Sequence, residues 1–385
     1  MLIAFGAQYS FGVFFKPVLT EFGWTRAETS GAYSLYFLIM GLFNIFAGKL
    51  SDRFGPRIAV SAFGICLGLS YLLMSQIHAI WQLYLFFGVL SGIGMGFFVP
   101  IVSTVAKWYI RARGLMTGIV VAGIGVGLIV MPPFANNLIA NHGWRSSYII
   151  IGFIILGIIL IVAKFLKRDP SQVSQYPDDS EQLSVENLHS SIQGIPMQKA
   201  ILIRQFWMLV VMNFSFNYCI QTAIVHVVPY ATDIGFQAVI AATILTTIGV
   251  ASIAGKIGIG GIYDRIGSKR SFIIASILMI ISMVWLNLAQ APWAFYMFAA
   301  IFGLGYGGFS SLQSPSVADL FGLKAHGAIF GIIFFSSTIG GAGGPLITGF
   351  IFDNYGSYQL GFLICAGFGV LCLAMALLLK PVQPP

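Results

Sequence analysis

The sequence predicts an all-α membrane protein with twelve transmembrane helices arranged as two pseudo-symmetric six-helix bundles. Three observations carry that expectation: an apolar composition, twelve long apolar runs and an internal repeat. Of 385 residues, 58% are hydrophobic and 8% are charged, whereas a soluble domain carries about 25% charged residues. So few charges cannot coat a water-soluble globule of this length, so the solvent of this chain is lipid.

A helix needs about 20 apolar residues to cross a hydrocarbon layer roughly 30 Å thick, because lipid offers the backbone no hydrogen-bond partner. Spans 1 to 12 are expected near residues 1–20, 29–50, 57–77, 80–106, 113–139, 146–166, 205–231, 238–262, 270–291, 293–318, 327–352 and 358–379. The runs are continuous, without the short alternating segments of a membrane β-barrel. Span 1 opens at Met1 with no polar flank, so its start reads as truncated, and it is too long and polar for a signal peptide.

Lys and Arg in short loops mark the cytoplasmic side. The loops after spans 2, 4, 6, 8 and 10, with the C-terminal tail, hold 16 of the 20 basic residues; the opposite loops hold Lys16, Arg26 and Arg145, and Lys256 lies inside span 8. Both termini are therefore expected in the cytoplasm, in an integral multi-pass protein of the inner cell membrane. The formal charge of +8 is scattered singly through these loops rather than interleaved with aromatics on one face, so nucleic acid is not an expected partner.

The repeat is read from two blocks. Gly48, Asp52, Arg53, Gly55 and Arg57 return as Gly260, Asp264, Arg265, Gly267 and Lys269, 212 residues later. Ser103, Gly114, Gly118, Gly127, Pro132 and Gly143 return as Ser316, Gly327, Gly331, Gly340, Pro345 and Gly356, 213 residues later. The domains are accordingly expected as an N-terminal bundle over 1–168, a cytoplasmic linker rich in Ser, Gln, Pro and acids over 169–203, and a C-terminal bundle over 204–385. Parallel repeats of this kind rock about a central substrate site. Glycines around Pro132-Pro133 in span 5 and Pro345 in span 11 suit helices that approach and part. Asp52 with Arg53, and Asp264 with Arg265, are expected as charged gating loops at the inward mouth.

Cys66, Cys219, Cys365 and Cys372 all lie in apolar segments and read as small core residues. No metal-ligand spacing, no HExxH and no GxSxG is present, so neither a metal, a cofactor nor an enzyme activity is expected.

The stretch Gly48-Lys-Leu-Ser-Asp52-Arg-Phe-Gly55-Pro-Arg57, echoed at 260–270, resembles the loop signature of the major facilitator superfamily of secondary transporters. Within it the chain resembles the monocarboxylate porters and the bacterial oxalate/formate exchangers. The matching text is Gly12-Val-Phe-Phe-Lys16, Glu28-Thr-Ser30, Val227-Val-Pro-Tyr-Ala-Thr-Asp233-Ile-Gly235, Asp319-Leu-Phe-Gly322, Gly344-Pro345 and Gly349-Phe-Ile-Phe-Asp353. The resemblance implies the major facilitator fold and a carrier of small carboxylates, proton-coupled in one branch. It also implies a substrate-binding cation eight residues before the second loop aspartate, where this chain has Lys256 instead of the family's arginine. Where relatives place an acid four residues earlier and a lysine in span 1, this chain has Ser252 and Tyr9.

Lys256 stands out without the resemblance. It lies about 12 Å along the helix from Asp264, near the midplane, where an uncompensated charge costs about 2.5–3.5 kcal/mol, and no acid occupies a comparable depth. A carboxylate cargo would supply the missing anion, and an amine held neutral when empty would gain a proton with the cargo, making Lys256 a proton-coupling candidate too. His226 and Asp233 are the other candidates for moving H⁺. Asn217 in the stripe Asn213, Asn217, Gln221, Tyr306 in the stripe Tyr306, Ser310, Gln313, and Phe335 are candidates to line the cavity, with helix-to-helix packing as the competing reading.

The expected function is a monomeric secondary transporter moving small monocarboxylates such as lactate or pyruvate with H⁺ by alternating access, in contact with membrane lipid. An oxalate/formate-type exchanger is the alternative. A channel is a further option, but it does not require paired gating loops.

Overall fold

The computed structural model describes residues 1–24, 26–167 and 194–380. Helices make up almost all of them, as the composition requires. Nine helices among the described residues are long and apolar enough to cross a membrane. Two of the nine are pairs. Arg113–Phe165 bends at Gly143 (φ 74°) and Ala238–Leu288 at Gly267 (φ 81°), so each holds two spans. Leu2–Tyr9 and Phe11–Phe22 together supply span 1, which makes twelve crossings in all. The rest are Arg26–Phe54, Pro56–Met74, Ile80–Trp108, Arg204–Asp233, Pro292–Phe321, His326–Tyr355 and Gln359–Leu378.

Both bends occur at glycines marked by the repeat, and their mates behave alike: Gly55 has φ 88° and Gly356 φ 65°. A left-handed backbone at these turns is easy for glycine and strained for any residue with a Cβ. Span 4 departs from regular geometry, with a π-helical stretch at Tyr84–Ser91 and a 3₁₀ turn at Met95–Phe97. The linker expected at 169–203 lies outside the described residues as far as 193. From Gly194 the chain continues with Ile195, whose N–H donates to the Phe321 carbonyl at 2.9 Å, and a short helix at Met197–Ala200.

The chain divides into two compact units. The first comprises, as far as its residues are described, Met1–Trp108, Gly123–Asp179 and Ala325–Gly331; the second Tyr109–Ala122, Ser180–Lys324 and Ile332–Pro385. The opening turns of spans 5 and 11 thus each pack with the half of the chain that does not contain the rest of that span.

Each unit has an aromatic centre. In the first, Phe14 stacks on Tyr148 at 3.9 Å and Phe11 on Phe87 at 4.2 Å; in the second, Phe216 stacks on Phe309 at 3.8 Å. Buried serines satisfy their hydroxyls on their own helices, as Ser276 does on the Phe272 carbonyl and Ser316 on that of Leu312, so apolar surroundings are kept without orphaned donors. Large apolar side chains such as Phe153, Phe165, Leu346 and Val370 stand outward, the arrangement expected where the surrounding medium is hydrocarbon.

Candidate functional site

The second unit holds the buried cation anticipated from the sequence. Lys256 is 1% exposed, and its Nζ has no hydrogen-bond partner. The ammonium stands 5.0 Å from the centroid of the Tyr306 ring, close enough for the ring's negative face to attract a cation. Its helix is held by glycines on two sides. A methyl group at Gly118, in the first turns of span 5, would collide with the Lys256 carbonyl; one at Gly307, in span 10, would collide with the Ser252 carbonyl and reach within 2.9 Å of the Lys256 nitrogen. Backbone thus meets backbone around this turn, and the lysine stem has little freedom to swing away.

Span 2 presents the same slot in the first unit. Asn44 stands at the repeat position of Lys256 and is fully buried. Its Nδ2 donates to the carbonyls of Met40 at 2.8 Å and Met95 at 3.3 Å, and its Oδ1 accepts from Val99 N–H at 3.1 Å, which ties span 2 to the irregular part of span 4. A Cβ on Gly331, the repeat mate of Gly118, would stand 2.8 Å from the Asn44 carbonyl. Nothing in the hydrophobic pattern marked Asn44; the offset of 212 applied to Lys256 would have found it.

The other anticipated residues fall as follows. Ser252 is buried and donates to the Gly249 carbonyl at 2.8 Å. Asn217 donates to the Ser337 carbonyl at 2.6 Å, joining span 7 to span 11. Phe335 is half-buried on span 11, and Tyr9 is half-buried at the end of the first helix, in the first unit. His226 bonds through Nε2 to the Pro345 carbonyl at 3.0 Å and lies 5.1 Å from the Tyr358 ring, while Asp233 is exposed at the end of span 7. Tyr306 is the one brought to Lys256 among the described ring contacts.

At the loop aspartates, the carboxylates grip helix starts while the adjacent arginines face outward. Asp264 accepts from Gly114 N–H at 2.7 Å and Leu115 N–H at 2.9 Å, at the start of span 5. Asp52 accepts from Ala328 N–H at 3.1 Å, at the start of span 11, and pairs with Lys107 at 3.3 Å. A carboxylate here satisfies free amides and meets the positive end of the helix dipole. Arg53 and Arg265 are exposed, Arg53 lying 5.1 Å from the Phe54 ring. Beside Asp264, Arg113 pairs with Asp319 at 2.7 Å, and Tyr263 donates to the same carboxylate. Sequence reasoning did not assemble this trio, though Asp319 lay in one of the family-like stretches.

A model of the Major Facilitator Superfamily matches residues 1–280 and 232–385. The chain belongs to the Major Facilitator Superfamily. That membership makes it a transporter rather than an enzyme. Its superfamily relatives include monocarboxylate transporter 12 of Rattus norvegicus, 25% identical over 93% of this chain and 78% of the relative, and monocarboxylate transporter 2 of Homo sapiens, 25% identical over 96% and 81%. An uncharacterized transporter of Escherichia coli, YhjX, is 26% identical over 88% and 82%. These relatives bear out the likeness to monocarboxylate porters read from the loops. Solved structures of the same superfamily share the fold: the proton:xylose symporter XylE (TM-score 0.79, 13% identity, 98% of this chain and 93% of that one) and the human organic anion transporter MFSD10 (TM-score 0.74, 14% identity, 97% and 98%).

Proposed function

We propose that this transporter moves small monocarboxylates, such as lactate and pyruvate, together with H⁺ by alternating access. The observation that carries the reading is Lys256: a fully buried amine with no acceptor, held by close backbone packing under an aromatic ring. A carboxylate is the ligand that such a group lacks, and Lys binds it as a point charge rather than through the two-pronged grip of Arg. The names of the relatives support the same substrate class. A buried amine is cheapest without its charge, so the arriving anion and a proton enter together. His226 and Asp233 serve as further proton carriers. Exchange of a dianion such as oxalate is the second reading; a single deep cation favours the monoanion.

In this reading the gating loops act through Asp52 and Asp264, which hold the first turns of spans 11 and 5 and release them during the cycle. Tyr9, Ser252, Asn217, Tyr306 and Phe335 form the remaining substrate contacts. The distribution of Lys and Arg supports an inner-membrane protein with both termini in the cytoplasm, working as a monomer built from bundles 1–168 and 204–385 joined by the linker 169–203.

The test is counterflow of labelled lactate, pyruvate, formate and oxalate into proteoliposomes, with and without an imposed pH step, for wild type and Lys256→Gln. Lactate accumulation that needs the step and disappears in Lys256→Gln is the expected result. Oxalate–formate exchange indifferent to the step, or full transport by Lys256→Gln, overturns the reading.

A further inference from the structure

We propose that the buried hydroxyls of Tyr218, Thr222 and Thr348, with His226 at one end, bind a short file of water between spans 7 and 11, and that this file carries protons. Its conducting role rests on the proton-coupled reading above; its water content does not.

Tyr218, Thr222 and Thr348 are each no more than 1% exposed, and all three hydroxyl oxygens lack a hydrogen-bond partner. Their neighbours show how unusual this is. Ser252, Ser336 and Thr338 in the same unit all bond back to a carbonyl three residues earlier on their own helix, the ordinary way for a hydroxyl to survive in an apolar helix. Thr222 and Thr348 do not take that option.

The three groups converge. Tyr218, Thr222 and His226 recur every four residues on span 7, so they share one face. That face meets Gly344, Pro345 and Thr348 of span 11: a Cβ on Gly344 would stand 2.5 Å from both Thr222 Oγ1 and the Tyr218 carbonyl, and the Thr348 hydroxyl lies opposite that of Tyr218. Gly361 of span 12 leaves room beside Thr348, where a Cβ would come within 3.0 Å of its Oγ1. Pro345 has no N–H, so the helix gives the Gly341 carbonyl no partner and adds an acceptor to the same strip. Several donors and acceptors in one buried strip meet the requirement for bound water, which needs two to four polar partners.

His226 closes the strip at the end nearer Asp233. Its Nε2 faces the Pro345 carbonyl, so the proton sits on Nε2, and Nδ1 of the neutral ring is free to accept. The titratable groups around it are Tyr358, whose ring is 5.1 Å away, then Tyr230, Asp233 and Asp353 near Tyr358; Cys219 and Cys365 flank Tyr218. A proton taken up at Nδ1 moves along the file by successive hops, each oxygen gaining one proton as it hands on another, so no group is consumed.

Two measurements test this. X-ray radiolysis with mass spectrometry oxidises buried side chains next to bound water. Tyr218 is expected to label several-fold faster than Tyr148, which is equally buried at 1%, and to fall to the Tyr148 rate in the Thr222→Val/Thr348→Val variant. Equal labelling of Tyr218 and Tyr148 in wild type overturns the water file. In proteoliposomes, the same double variant is expected to keep lactate counterflow at equal pH and to lose about fivefold in uptake driven by a pH step, the loss of about one hydrogen bond from a relay. The Thr222→Ser/Thr348→Ser variant restores it. Parallel loss of both activities, or loss of neither, overturns conduction. If wild type shows no pH-driven uptake at all, the proton-coupled reading fails and conduction with it, while the labelling result still decides the water file.

Discussion

Lys256 and Asn44 stand 212 residues apart at the same position of the repeat, each with a glycine from another span packed against its carbonyl, yet only Asn44 has its side chain satisfied. One scaffold therefore serves two purposes. In the first unit the slot fastens span 2 to an irregular stretch of span 4; in the second it holds a polar group with nothing to bond. A buried orphan is costly, and its presence in one copy of a slot that is fully satisfied in the other argues that the cost is kept for a ligand.

Stability and transport should consequently separate at these two positions. Asn44→Leu leaves the Val99 N–H without its acceptor and the Met95 carbonyl without its donor, at about 1–3 kcal/mol per buried group, so the melting temperature of the detergent-purified protein is expected to fall. Lys256→Met removes a buried amine and keeps its volume, so the melting temperature is expected to hold or rise while carboxylate transport is lost. Thermal unfolding beside counterflow checks both; a Lys256→Met protein that melts well below wild type would show that the amine supports the fold.

Tyr306 should matter through its ring. The pairing with Lys256 at 5.0 Å is an interaction of about 0.5–2 kcal/mol, retained in Tyr306→Phe and lost in Tyr306→Leu. The leucine variant is expected to raise KM for lactate by up to about tenfold, and the phenylalanine variant to stay near wild type, as initial-rate uptake would measure. Equal effects of the two would assign the role to the hydroxyl.

Much of this architecture was legible beforehand for a plain reason: spans in lipid must be long, apolar and helical, so hydropathy alone gave ten of the turns between them to within a few residues. The glycines matched by offset became positive-φ turns at Gly55, Gly143, Gly267 and Gly356, because a sharp turn in a repeated fold needs the same residue twice. Lys256 was legible because depth makes a charge conspicuous. Asn44, Thr222 and Thr348 were not, since a neutral polar residue in a membrane helix normally bonds locally, and only coordinates show whether it does. The gating loops were legible as loops and not as contacts: charge pairing pointed to Arg53 and Arg265, whereas the amides of a helix start attract Asp52 and Asp264 without any mark in the local sequence.

Those aspartates lead to a prediction in which charge counts more than shape. Asp264→Asn keeps the size of the side chain but weakens the charge-assisted bonds to Gly114 and Leu115, worth about 1–2 kcal/mol at a helix start. The first turn of span 5 is then expected to fray, and a cysteine placed at Gly114's neighbour Leu115 to react faster with a water-soluble maleimide. Asp52→Asn should do the same for a cysteine at Ala328, with a larger effect because Lys107 also loses its partner. Unchanged labelling at both places would mean that these turns are held by packing alone.

The last prediction concerns pH at the loop between spans 5 and 6. Arg145 Nη2 pairs with Glu21 Oε1 at 2.7 Å, and Trp144 Nε1 donates to Glu21 Oε2 at 2.6 Å. The hydrogen bond from Arg145, followed by that from Trp144, holds the Glu21 carboxyl below the usual carboxylate range. Folding therefore favours the ionised form. The contribution is complete above the unfolded carboxyl value, near 4.3 for Glu, and is lost as pH falls through the lower folded value. Both partners are about a third or more exposed, 33% for Arg145 and 42% for Glu21, so water and salt limit the pair to less than about 1 kcal/mol. Melting temperatures measured from pH 6 down to pH 3 should fall slightly less steeply in Glu21→Gln than in wild type, and the difference should shrink in high salt. A Glu21→Gln curve parallel to wild type across that range would show that the carboxylate is bound no better in the folded chain than in the unfolded one.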